Sequence, residues 1–137
     1  GAYMGQRERI SMTDEEVRSF LRRKTRLVLG TLRGDGAPAA DVAPCCYEEG
    51  SLWALVPRDS EALANVRRDP RVACTLEEFP SYFEIKGVIV HARASETTGE
   101  ERARIAQRFT GRSLDGCAIL RLPLEHVVSF DFGKMKK

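Results

Sequence analysis

The sequence predicts a β-dominated α+β domain, a small antiparallel barrel with flanking helices, and three observations carry that prediction. Short apolar runs rich in β-branched and aromatic residues recur along the chain, separated by turn residues such as Gly34-Asp35-Gly36 and Glu48-Glu49-Gly50. Helical spacing is confined to segments beginning near Thr13, Ser60 and Gly99. With 137 residues the chain suits one core and leaves little room for two.

Residues Gly1 to Ser11 are polar and begin with Gly-Ala-Tyr ahead of Met4, the pattern of an expression remnant and a disordered arm (1–11). The domain is expected over 12–134, with 135–137 frayed. Thr13, followed by Asp14, Glu15 and Glu16, forms an N-cap with Glu16 at the capping-box position, and Val17, Phe20 and Leu21 recur at helical spacing to about Arg23. Arg26 to Arg33 reads as a strand, and Gly34-Asp35-Gly36 turns it into a second, Pro38 to Tyr47. A third strand, Ser51 to Val56, carries the single tryptophan, Trp53. Asp59 or Ser60 caps a short helix whose inner face holds Leu63 and Val66, and Asp69-Pro70 stops it.

Arg71 to Leu76 is the fourth strand. Ser81 to Glu96, with Tyr82, Phe83, Ile85, Val88, Ile89 and Val90, reads as one long strand in which Gly87 marks a bulge or bend. Gly99 to Phe109 returns to helical spacing, and Thr110-Gly111 ends it. The strands Cys117 to Leu122 and His126 to Phe132, joined through Pro123, complete the chain.

Composition removes several function classes. Hydrophobic residues at 42% and charged residues at 31% describe a folded domain rather than a disordered segment. Lys plus Arg total 22 against 20 Asp plus Glu, interspersed, so no basic stripe argues for nucleic acid. The local excess at Arg18, Arg22, Arg23, Lys24 and Arg26 reads as the solvated side of a helix and its exit. Apolar runs such as Gly87-Val88-Ile89-Val90 fall far short of the roughly 20 residues of a membrane span, and no secretory signal is evident. The expected location is cytoplasmic, with no membrane partner.

Cys45, Cys46, Cys74 and Cys117 contain no CxxC spacing, and the neighbours Cys45 and Cys46 point to opposite faces of a strand. They are expected to be reduced, buried and without metal. His91 and His126 have no second candidate ligand near them in sequence and read as ordinary strand histidines. P-loop, GxGxxG, GxSxG and HExxH motifs are absent, so no catalytic side chain is assigned. The segment of interest is the strand end at Leu55-Val56-Pro57-Arg58, which opens onto the helix near Ser60. A helix start offers N–H groups to a phosphate, with Arg58 and the Ser60 hydroxyl beside it; the same residues also serve as an ordinary cap and a solvated arginine.

The order of elements, with Leu52-Trp53, the run from Asp59-Ser60 to Asn65-Val66-Arg67-Arg68-Asp69-Pro70-Arg71-Val72, the Tyr82 to Val88 strand and Val128-Ser129-Phe130-Asp131-Phe132, resembles the pyridoxamine 5'-phosphate oxidase-like superfamily of split-barrel flavin-binding proteins, in particular its short branch with deazaflavin-dependent reductases. The resemblance spans Met12 to Lys134. It implies an FMN-binding split β-barrel and a homodimer with FMN, or alternatively the deazaflavin coenzyme, at the interface. It further implies that Asp41, Val42, Ala43 and Pro44 with Leu55, Val56 and Pro57 line the ring, that Arg58 and Ser60 face the phosphate, and that Tyr82 and Lys86 are further candidates.

The chain departs from many relatives, which carry a basic residue at the second position after the serine. Here Glu61 and Ala62 follow Ser60, an exchange of attraction for repulsion worth about 1–3 kcal/mol in a partly desolvated site. Restoring charge with Ala62→Lys is expected to tighten cofactor binding by roughly tenfold. The implied function is an oxidoreductase passing hydride to a small planar or conjugated substrate. The alternatives are a non-catalytic holder of flavin or haem, and a dimer that has lost its cofactor.

Overall fold

The computed structural model describes residues 8–81, 84–109 and 114–136. Helix α1, Asp14–Arg23, opens on a complete capping box. The Glu16 N–H donates to Thr13 Oγ1 at 3.1 Å, and the Thr13 N–H donates to Glu16 Oε1 at 2.9 Å. Strands β1 (Arg26–Leu32), β2 (Pro38–Glu48) and β3 (Ser51–Pro57) follow as the expected meander, then helix α2 (Glu61–Arg68) and β4 (Arg71–Glu78). The chain continues through β5 (Lys86–Arg93), β6 (Ser95–Glu96), α3 (Gly99–Ala106), β7 (Cys117–Pro123), β8 (His126–Asp131) and a 3-10 turn, Phe132–Lys136.

All pairings are antiparallel, and the eight strands run in the order β6-β7-β3-β2-β1-β4-β5-β8. Adjacent segments β5 and β6 therefore lie toward opposite ends of that order, so the sheet curls until its ends approach: the molecule is a split barrel. The single long strand expected over 81–96 is in fact two. The chain changes sheets at Ala94, whose N–H donates to the Pro70 carbonyl at 2.8 Å, and β5 begins only at Lys86; Tyr82 and Phe83 lie outside the described residues.

Gly87 is not a bulge. It pairs in unbroken register with Glu77 on β4 and Phe130 on β8. A Cβ there would stand 2.7 Å from Phe130 Cζ and 2.9 Å from the Leu76 carbonyl oxygen, so close approach of ring and backbone demands the glycine.

The split lies in β2, which pairs with β1 from Pro38 to Pro44 and with β3 from Cys45 to Glu48. Pro44 stands at the change of partner, where a residue without an N–H leaves no donor unpaired. Helix α2 packs against β1, β2 and β3, and its Ala62, Leu63 and Val66 join the interior core with Phe20 and Leu21 of α1. A second cluster lies on the other face of β3 and β7, where Trp53, Leu55 and Ile119 pack beneath Ile105 and Phe109. Both faces of β3 are thus covered, and Ser51 to Val56 are all buried. Each large apolar side chain so enclosed contributes about 1.5–3 kcal/mol.

Residues 8–10 are helical, Lys134 Nζ donates to the Ser11 carbonyl at 3.1 Å, and the Met12 N–H donates to Ser129 Oγ at 2.9 Å. Met135 and Lys136 belong to the 3-10 turn Phe132–Lys136. Among the described residues no helix is long and apolar enough to cross a membrane.

Candidate functional site

Where β3 ends, the Arg58 N–H donates to the Gly116 carbonyl at 2.8 Å and the Ser60 N–H to the Pro57 carbonyl at 3.1 Å, fixing a tight turn into α2. Ser60 Oγ accepts from the Leu63 N–H at 3.2 Å, so this hydroxyl works as the helix cap. The N–H groups of Glu61 and Ala62 remain, with no earlier helical carbonyl to take them.

Arg58 is exposed, and its guanidinium makes no hydrogen bond or ion pair among the described residues. Nearby, Arg67 Nε donates to Glu96 Oε1 at 2.8 Å, and that bond, with added charge from Arg58 and Arg102, holds the Glu96 carboxyl below its ordinary range. Three cations thus surround one carboxylate. A phosphate group fits the remaining positive charge together with the open end of α2.

The residues after the serine act differently from what the resemblance implies. Glu61 is turned to Arg33, whose Nε donates to its Oε1 at 2.5 Å, and this bond lowers the Glu61 carboxyl pKa. Ala62 is 2% exposed and lies in the interior core. A lysine at 62 would be driven into apolar packing rather than toward a phosphate, so the gain expected from Ala62→Lys does not fit the structure.

The ring-lining candidates separate by face. Asp41, Val42 and Pro57 are exposed and Pro44 half-buried, whereas Ala43 and Val56 belong to the interior core and Leu55 to the cluster under α3. Ala43, Leu55 and Val56 can offer a ligand only their backbone. Lys86 stands between Glu78 and Asp131 across β4 and β8.

The outer face of the sheet carries two straight rows. One is Val42, Val28, Thr75, Ile89 and Val128; the other is Ala40, Gly30, Ala73, His91 and His126. Val42 is 71% and Val28 41% exposed. Strand register brings His91 and His126, far apart in sequence, side by side, and register is not written in local sequence. The larger groove of about 700 Å³, with Met12, Val17, Tyr47, Leu124, Val127 and Val128 in its wall, lies between α1 and β8 and includes none of the expected site residues.

Cys45 faces the interior core and Cys46 the second cluster, as their adjacency requires. Burial pushes the Cys45 and Cys74 thiols up to about 12 and raises Cys46 as well, which removes them as nucleophiles. Among the described residues no group of three or more His, Cys, Asp or Glu could hold a metal ion.

The family description pyridoxamine 5'-phosphate oxidase matches residues 13–131, nearly the whole described chain. The chain belongs to the pyridoxamine 5'-phosphate oxidase family. No curated protein matches it significantly. Among solved structures, this family member is similar to a conserved hypothetical protein of Mycobacterium tuberculosis at TM-score 0.83 and 23% identity, covering 96% of this chain and 92% of that one. It is similar to HutZ, the haem storage protein of Vibrio cholerae, at 0.72 and 20%, covering 85% and 94%. An FAD-binding protein of Mesorhizobium loti matches at 0.69 and 17%, covering 88% and 96%. At these identities the structural likeness concerns the fold, and the oxidase family is reached through the sequence.

Proposed function

We propose that this family member is a homodimeric oxidoreductase that holds a phosphorylated flavin, FMN or the deazaflavin coenzyme, and transfers hydride to a small planar or conjugated substrate. The observation that carries the reading is the exposed guanidinium of Arg58, which makes no hydrogen bond or ion pair among the described residues, at the turn that opens onto the N-terminal end of α2. That pair supplies a charge-assisted contact and backbone donors to one phosphate. FMN, when bound, supplies the hydride chemistry.

The chain's own part is binding, orientation and exclusion of water. The exposed valines of the outer face need a cover, and a second copy of the same sheet provides it with matching chemistry. A groove between two sheets can bury a planar ring that a barrel filled by Leu27, Leu29, Leu52 and Leu120 has no room for. The buried thiols, raised by burial, take no part as nucleophiles. The likeness to an FAD-binding protein supports a flavin; the likeness to a haem storage protein supports the alternative of a non-catalytic planar-ligand holder.

Absorbance and fluorescence of the purified protein with FMN, with deazaflavin and with haem test the reading, together with sedimentation. A flavin band or a change in deazaflavin fluorescence on a species of twice 15.3 kDa is expected. A Soret band with no response to either flavin would favour the alternative, and no response to any of them would overturn both.

A further inference from the structure

We propose that His91 and His126 form a chelating site for a divalent transition-metal ion, clamping the edge strand β8 to β5. The residues are direct cross-strand partners, the last pair of the β5–β8 ladder, and both are exposed. Directly opposed residues in an antiparallel pair hold their Cβ atoms about 4.5–5.5 Å apart, which is the spacing a pair of imidazoles needs to share an ion. Their ring centroids stand 5.5 Å apart with planes at 71°. An ion bonded to one nitrogen of each ring at about 2.1 Å stands roughly 3.2 Å from each centroid, so a tetrahedral angle brings the centroids roughly 5.2 Å apart. The observed separation of the rings is thus close to the one a shared ion requires.

The donor set chooses the ion. Two imidazoles with no third His, Cys, Asp or Glu grouped beside them among the described residues suit Cu²⁺, Ni²⁺ or Zn²⁺ rather than the oxygen-seeking Mg²⁺ or Ca²⁺. Ala73, the neighbour of His91 on β4, puts a small side chain beside the pair, which lies at the β8 edge of the outer face. Arg93 lies two residues beyond His91 and interacts with the Asp69 carboxylate, which offsets part of its charge toward an incoming cation. Both ligands come from one chain and lie on the edge strand at the end of the outer face, so the site does not depend on a bound flavin. Its consequence is mechanical, because β8 is an edge strand and also holds the N-terminal segment through Ser129.

Titration with Ni²⁺ and Cu²⁺ by calorimetry, with thermal melting in the presence of each ion, tests the site on the full chain. Wild type is expected to bind one ion per chain and to melt at higher temperature with it. His91→Asn and His126→Asn are each expected to weaken binding by about tenfold or more and to abolish the melting shift. Both residues are exposed, so the variants should fold, and circular dichroism without metal verifies this. Binding that either substitution leaves at the wild-type affinity, or no binding in wild type, overturns the proposal.

Discussion

Asn65 donates through Nδ2 to Thr31 Oγ1 at 3.0 Å, and both side chains are buried, so a polar bond inside the barrel ties α2 to β1. The Asn65 Oδ1 accepts from Arg68 at 2.8 Å, and Arg68 also donates to the Leu32 carbonyl at 2.9 Å. This network sets the position of α2, and with it the turn from Arg58 to Ser60. Thr31→Val leaves the Asn65 donor without its partner and is expected to cost about 1–3 kcal/mol in urea unfolding. The double variant Thr31→Val, Asn65→Leu removes both polar groups and should recover part of that loss, since no orphan remains.

Ala62→Lys is expected to destabilise the fold, because it places an unpaired ammonium among Leu63, Val66 and their neighbours. The expected loss is about 3–5 kcal/mol, the scale of an uncompensated buried charge, with no gain in cofactor affinity. Urea unfolding beside a flavin titration reads both. A stable variant that bound FMN more tightly would show that position 62 faces the ligand.

Glu16 links the N-terminal helix to the last turn of the chain. The Lys134 hydrogen bond, at 2.6 Å, and the Thr13 backbone bond hold its carboxyl pKa at about 2, below an ordinary value of 4.5. A depressed folded-state pKa means the stabilisation is fully present above 4.5 and is lost as pH falls toward 2. The effect is modest, because the Glu16 side chain is 43% exposed and partly screened. Glu16→Gln should lower stability at neutral pH and flatten its fall through that acid window. The remaining slope is expected from Asp69, held at about 2 by its hydrogen bonds from Arg71.

Val42 projects from the outer face at 71% exposure in the row with Val28, Thr75 and Ile89. In a two-fold dimer one lysine at 42 introduces two desolvated charges, so Val42→Lys is expected to yield a folded monomer in sedimentation at concentrations where wild type is dimeric. A dimer unaffected by this change would place the interface elsewhere.

The meander and the capping box at Thr13 were legible because each rests on neighbours in sequence: turn residues between apolar runs, and a cap three residues from its partner; burial of both faces of β3 depends on Ile105 and Phe109, far along the chain. The inward phase of Ala62 is also written in the local sequence, since Ala62, Leu63 and Val66 form one apolar stripe. Three further features were not local. Gly87 needs Phe130 from another strand to explain it, the change of sheets at Ala94 depends on barrel closure, and the His91–His126 pair exists only through register. Arg58 was singled out on its place at a strand end; its lack of a partner among the described residues is visible only in three dimensions.

The placement of a flavin phosphate at Arg58 is tested most directly by comparing FMN with riboflavin, which carries the same ring without the phosphate, on wild type and Arg58→Ala. A charge-assisted hydrogen bond is worth about 1.5–3 kcal/mol, so wild type should bind FMN more tightly than riboflavin by roughly tenfold or more in a fluorescence titration. In Arg58→Ala that preference should largely disappear while riboflavin affinity stays unchanged. An equal preference for FMN in both proteins would contradict the placement, because the phosphate would then be held by other residues.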